Sequence, residues 1–189
     1  MTSSELLDLF RSTNALLDGH FVLRSGLHSR QYFQCALLLQ HTQIAARVCQ
    51  ALANKLRDIE AERVVSPALG GIIVGHEIAR ALGKPHIFVE KDEGKLVLRR
   101  GFEIKPGTRF IVAEDVVTRG GRVQETIDIV KAHGGKVAAV ATIVDRSGGN
   151  TDLGVPYRAL LPMTVPTYDP TTCPLCAQGV PVVKPGSRT

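Results

Sequence analysis

The chain has 189 residues, enough for one well-cored domain with a small appendage. Hydrophobic residues make up 44% and charged residues 22%, an ordinary globular balance, and no apolar run is long enough to span a membrane. The net charge of +5 makes anionic partners plausible; the basic clusters at 84–100 and 184–188 lack interleaved aromatics, so a nucleic-acid surface has weak support, and small, highly charged phosphates fit the balance equally well. The opening MTSSELLDLF is acidic and amphipathic, unlike a secretory leader, and a cytoplasmic location is expected.

Thr2 and Glu5 have capping-box spacing, and Leu6, Leu7 and Phe10 follow as one helical face. Phe21, Val22 and Leu23 predict a strand, Ser25-Gly26 a turn, and Tyr32-Phe33 the start of a second apolar run. Ile44, Val48, Leu52, Leu56 and Ile59 recur at helical spacing. A short strand at 63–66 leads through Pro67-Ala68-Leu69-Gly70-Gly71 into a helix over 72–82, which Gly83 and Pro85 end. Further strands are expected at 86–90, from Arg109, at 136–145 and at 157–161, with a helix over 122–133 stopped by Gly134-Gly135. This alternation predicts an α/β fold: an open parallel sheet of about five strands with helices on both faces. The whole of 1–189 reads as a single domain, with terminal segments of about 1–40 and 157–189 forming a small hood.

The stretch RFIVAEDVVTRGG, 109–121, carries the chemistry. An apolar strand turns acidic at Glu114-Asp115 and breaks at Thr118-Arg119-Gly120-Gly121 just before a helix. Such a loop offers free N–H groups and a positive helix end to an anion. Carboxylates would repel that anion, so Glu114 and Asp115 should hold something beside it. A vicinal diol suits them, because sugar hydroxyls donate and carboxylates accept. Together these describe a ribose 5-phosphate site. The alternative is an ordinary strand-to-helix turn in which the acids pair with Arg119 and Arg122.

The run IVAEDVVTRGG resembles the signature of type I phosphoribosyltransferases, which bind phosphoribosyl diphosphate (PRPP). The resemblance places the ribose diol on Glu114 and Asp115, and the 5-phosphate along Val116, Val117, Thr118, Arg119, Gly120, Gly121 and Arg122. Many members carry Thr or Ser where this chain has Gly121, which removes one donor. The second glycine junction, with Gly70 and Gly71, would then cradle the diphosphate, although close packing also explains a Gly-Gly pair. The basic stretch KDEGKLVLRRGF, 91–102, reads either as a solvated hairpin or as a lid whose cations, Lys91 and Arg99, reach the diphosphate.

Two further stretches resemble the orotate-using members of that family. Arg24 before Ser25-Gly26, followed by Tyr32-Phe33, matches their base-side signature: an aromatic face stacks on a pyrimidine and a guanidinium suits anionic oxygens. Arg146 matches the arginine that meets the orotate carboxylate, and Thr118 a threonine near the same base. Arg146 could instead pair with Asp145 or Asp152. The resemblance implies orotate and PRPP as substrates, Glu114, Asp115 and Lys91 as catalytic residues, and a homodimer whose lids are shared between subunits. It implies Mg²⁺ as cofactor, held mainly through PRPP, with no metal ligand supplied directly by the chain. A purine or uracil phosphoribosyltransferase, or a PRPP-sensing regulator, would keep both cradles without needing Arg146.

Four cysteines and six histidines remain. Cys173-Pro-Leu-Cys176 has the spacing of half a zinc site, but no histidine follows His133, so the remaining ligands would have to come from afar or from a second subunit, and two free thiols in a C-terminal turn are expected instead. The six histidines are expected to form no metal-like cluster and to be structural.

Overall fold

The computed structural model describes residues 1–23 and 25–185. A six-stranded sheet forms the centre, built from β3 (Arg63–Pro67), β4 (His86–Asp92), β5 (Lys95–Leu98), β6 (Arg109–Val117), β7 (Lys136–Asp145) and β8 (Tyr157–Pro162). Its order is β5-β4-β3-β6-β7-β8, and every pairing except β4–β5 is parallel. The five expected parallel strands are therefore present. β5 adds an antiparallel edge, because the 91–104 stretch folds back as a hairpin over Glu93 and Gly94, both at positive φ.

Both faces of the sheet are covered, which is why its strands read as continuous apolar runs. Val64, Ile111, Ala113, Ala139 and Ala141 face one core, against α3 (Thr42–Asn54) and α4 (Gly70–Leu82). Their neighbours Val65, Phe110, Val112 and Val140 face the other, against Val123, Ile127 and Val130 of α5 (Gly121–Ala132). The alternation is the strand period of two at work. The first core also takes Leu6 and Phe10 of α1 (Ser3–Ser12), which starts at the predicted capping box: Glu5 N–H donates to Thr2 Oγ1 at 3.2 Å and Thr2 N–H to Glu5 Oε2 at 2.7 Å.

Strand order fixes where a ligand can sit. From β3 the chain moves outward to β4 and β5, then returns to place β6 on the other side of β3. β3 and β6 pair only as far as Val65 and Val112, so their following loops diverge and leave a crevice at their carboxyl ends. The two glycine junctions lie on either side of it.

A smaller sheet of β1 (Leu16–Val22), β2 (His28–Phe33) and β9 (Thr167–Tyr168) stands beside that crevice. β1 begins earlier than its apolar residues suggest and carries a register irregularity between Asp18 and Phe21. α2 (Cys35–Leu39) follows β2, and α6 (Pro174–Ala177) lies near the C-terminus. Beyond α6, Val183 pairs with β1: its N–H donates to His20 O at 2.8 Å, and Val22 N–H donates to Val183 O at 2.9 Å. One expectation fails in this region. His20 and His28 come up against Cys173 and Cys176, because β1, β2 and α6 converge from opposite ends of the chain.

Close packing of α4 on the sheet leaves its own pH signature. A Cβ at Gly75 would sit 2.5 Å from His86 Nε2, and His86 Nε2 lies 2.8 Å from Ser66 Oγ. Burial, with His76 nearby, pushes the His86 pKa down from 6.5 to about 4. The unfolded chain therefore takes up that proton first, so stability present above pH 6.5 is lost as the pH falls toward about 4. His86→Gln should flatten this acid limb in thermal melts recorded across that window; a limb of unchanged slope would assign the loss to other groups.

Candidate active site

Acidic residues at the end of a buried strand need a reason, and the glycines opposite supply one. A Cβ at Gly70 would stand 2.6 Å from Asp115 Oδ2, and one at Gly71 would stand 3.1 Å from Glu114 Oε1 and 3.0 Å from the Ala113 carbonyl. Any side chain would push the second loop off the acid pair, so the glycines set this close approach. Arg122 closes the gap from the other side, its Nη1 donating to Ala68 O at 3.0 Å. The Ala68–Leu69 peptide is cis.

The two acids differ. Glu114 is 6% exposed and accepts from the Asp115 N–H at 3.1 Å. Burial first, and then the neighbouring charge of Asp115, hold its pKa well above the usual carboxylate range. Asp115 accepts from Val116 N–H at 2.8 Å and lines the open cavity. Neither acid has an ion pair with Arg119 or Arg122 among the described residues, which removes the alternative of an ordinary salt-bridged turn.

Two helix ends point into the same space. α5 is capped by Gly120 at φ 74° with no side-chain cap, so its first amides stay free for a ligand. Gly120 is required twice over, since a Cβ there would meet Thr151 Cγ2 at 2.8 Å. Gly121 has open space, so the hydroxyl missing from this cradle is not excluded by packing. α4 starts at Leu69, also without a side-chain cap. Both ends line one cavity of about 920 Å³, together with Glu114, Asp115 and Lys91.

A second cavity of about 750 Å³ continues from the first and shares Asp115, Val116, Thr118, Arg119 and Tyr32 with it. Tyr32, Phe33 and Arg146 form its distinctive wall. The Arg146 guanidinium carbon sits 5.9 Å from the Phe33 ring centroid, and its Nε is buried with no hydrogen-bond partner among the described residues. Burial lowers the Arg146 pKa, and burial followed by the Asp115 charge raises that of Tyr32. An orphaned guanidinium N–H costs free energy that an incoming anion would recover.

Most of the residues expected from sequence meet here, and three points qualify the picture. Arg24 lies outside the described residues. Arg99 is engaged on its own hairpin, 3.3 Å from Asp92 and 4.0 Å from Glu90, rather than at the cavity; Arg100 likewise meets Glu90 at 2.8 Å. Lys91 does reach the wall of the larger cavity. Gln34 and Ser147 were missed: Gln34 lines both cavities and Ser147 the smaller. Gln34 directly follows the aromatic pair and Ser147 follows Arg146, so adjacency to those residues was the available signal.

Residues 36–153 match the phosphoribosyl transferase domain. Over 190 residues the chain is 56% identical to the orotate phosphoribosyltransferase of Carboxydothermus hydrogenoformans, covering all of both chains. It is 51% identical to that of Desulforamulus reducens, covering 100% of this chain and 98% of the relative. Among solved structures, the orotate phosphoribosyltransferase of Mycobacterium tuberculosis H37Rv superposes with a TM-score of 0.72 at 28% identity, covering 85% of this chain and 95% of that one.

Gly70→Ala should displace the Asp115 carboxylate while leaving the fold in place. Turnover of a phosphoribosyl donor should fall by about 10- to 100-fold, with the melting temperature within about 4 °C of wild type. Unchanged turnover would show that the close approach of the loops has no chemical purpose.

Proposed function

The chain belongs to the phosphoribosyl transferase family, and on that premise we propose that it transfers the 5-phosphoribosyl group of PRPP to orotate. The products are orotidine 5′-phosphate and diphosphate, a step of UMP synthesis. The observation that carries the choice of base is Arg146, which lines the cavity walled by Tyr32 and Phe33 and whose Nε is buried without a hydrogen-bond partner among the described residues. A flat pyrimidine fills the aromatic wall, and its carboxylate gives the guanidinium the acceptor it lacks. A purine or uracil offers no such carboxylate.

The donor spans the larger cavity. Its 5-phosphate takes the amides at the start of α5, from Thr118 to Arg122, and its diphosphate takes those at Gly70 and Gly71. Asp115, with Glu114 behind it, accepts hydrogen bonds from the ribose hydroxyls. Orotate N1 forms the new bond at the anomeric carbon as the bond to diphosphate oxygen breaks. Positive charge develops on the sugar ring as that bond breaks, and the nearby Asp115 carboxylate favours it. Lys91 meets the charge of the leaving diphosphate, and an Arg99 from the neighbouring chain joins it when that chain's β4–β5 hairpin closes and its ion pairs open. Closure also keeps water from the activated sugar.

Mg²⁺ suits this site. PRPP would hold the ion mainly through its own oxygens, beside the acidic wall that Asp115 gives the cavity, so the chain need supply no direct ligand. When bound, the ion neutralises charge on the leaving group. The working unit in this proposal is a cytoplasmic homodimer of single-domain chains, each hairpin covering its neighbour's site. No helix among the described residues is long and apolar enough to cross a membrane.

Diphosphate release should require orotate, PRPP and Mg²⁺ together, and release with adenine or uracil but not orotate would overturn the proposal. Asp115→Asn should cut kcat by about 100-fold or more while the fold survives. Arg146→Ala should raise the KM for orotate by roughly 10- to 100-fold, leaving that for PRPP near wild type. A rise confined to PRPP would put the base in the wrong cavity.

A further inference from the structure

Outside the cavities, one group of side chains has no role in phosphoribosyl transfer. His20 on β1, His28 on β2, Cys173 at the N-cap of α6 and Cys176 within α6 bring four ligand atoms within 4.8 Å of one another. None of the four lines either cavity. His20 Nε2 lies 2.8 Å from His28 Nδ1, 3.5 Å from Cys173 Sγ and 3.8 Å from Cys176 Sγ; Cys176 Sγ lies 3.4 Å from His28 Nδ1.

The tautomer of His20 shows what the centre of this group wants. Its Nδ1 lies 2.8 Å from Val180 O, and a carbonyl can only accept, so Nδ1 carries the ring proton. The Nε2 lone pair is thereby turned toward the two sulfurs and the second imidazole. Donation of the far ring N–H to a backbone carbonyl is the usual way a protein orients a metal-bound histidine. Around tetrahedral zinc, with bonds of about 2.3 Å to sulfur and 2.0–2.1 Å to nitrogen, ligand atoms stand roughly 3.3–3.8 Å apart. Three of the four distances given fall in that range, and the His20–His28 separation need open by only about 0.5 Å.

The geometry points to a structural zinc site, with His20 Nε2, His28 Nδ1, Cys173 Sγ and Cys176 Sγ as its ligands. Thiolate with imidazole selects zinc over magnesium or calcium. Two thiolates and two neutral imidazoles balance the charge of Zn²⁺, so the assembly is neutral and can be largely buried; its formation releases the two thiol protons. The site also accounts for α6, whose four residues are too few to hold a helix unaided. Cys173 caps it and Pro174 opens it, placing Cys173 and Cys176 one turn apart. The metal ties the C-terminal segment to β1 and β2 just before Val183 joins β1 and before Lys184 and Pro185 reach the wall of the smaller cavity.

The test uses the full-length chain purified without a polyhistidine tag. Elemental analysis should find about one zinc per chain. Cys176→Ala, at the one exposed position of the four, should lose it. After chelation under reducing conditions, cobalt(II) titration should produce the strong visible absorption of a tetrahedral thiolate complex in wild type but not in Cys176→Ala. Chelation should lower the wild-type melting temperature and leave that of the variant unchanged. A reduced wild-type chain that takes up neither zinc chloride nor cobalt would overturn the assignment. So would zinc retained in full by the Cys173→Ala/Cys176→Ala double variant, or an intact mass showing a Cys173–Cys176 disulfide in freshly isolated protein.

Discussion

The approach of the Gly70–Gly71 backbone to the carboxylates of Glu114 and Asp115 sets the rest of the site. It requires β3 and β6 to be neighbours, which the strand order supplies, and two consecutive positions without a Cβ, which the sequence supplies. With the loops this close, two helix N-termini face one space and their positive ends act on the same ligand. The carboxylates lie between them. An anion at each helix end and a hydroxyl-bearing group in the middle is the arrangement of charge that this geometry accepts at least cost.

Electrostatic strain within the site follows from the same packing. Glu114 is buried beside a second acid, and half-buried Arg146 has a buried Nε without an acceptor among the described residues. Neither state is comfortable in the free protein: burial pushes Glu114 toward its neutral form, the buried Arg146 N–H is unpaired, and both groups call for partners. Under the proposed function the substrates bring them: ribose hydroxyls for the acids and a carboxylate for the guanidinium. The free enzyme then holds its polar groups already oriented, and little reorganisation remains when charge develops on the sugar.

The central sheet and its acid-to-glycine signature were legible in the sequence because their constraints are local. Val64-Val65, 110–113 and 139–144 are apolar runs that only a doubly covered strand explains, and Gly120 sits where its φ and Thr151 leave no room for a side chain. The start of β1 was not legible. Asp18, Gly19 and His20 break the apolar pattern at a register irregularity, and Gly19 serves the Phe21 ring, which would touch a Cβ there at 3.0 Å. The hairpin partner β5 was legible only as one of two readings of 91–102, because Leu96, Val97 and Leu98 are too few to show alternation amid charged neighbours.

The least legible feature was the quartet of His20, His28, Cys173 and Cys176. Local spacing revealed only the two cysteines, because the histidines stand some 150 residues away and are joined to them solely by the fold. The hood sheet draws its strands from both ends of the chain, and a contact between distant segments carries a large loop-closure cost that short strands repay poorly. A metal shared by β1, β2 and α6 offsets that cost at one point, in a region whose helix and third strand are each only a few residues long. It does so beside the base-side cavity, where Tyr32, Phe33 and the C-terminal residues must hold still for Arg146 to meet its ligand. A small sheet too weak to order itself would thereby become a firm wall for the smaller cavity.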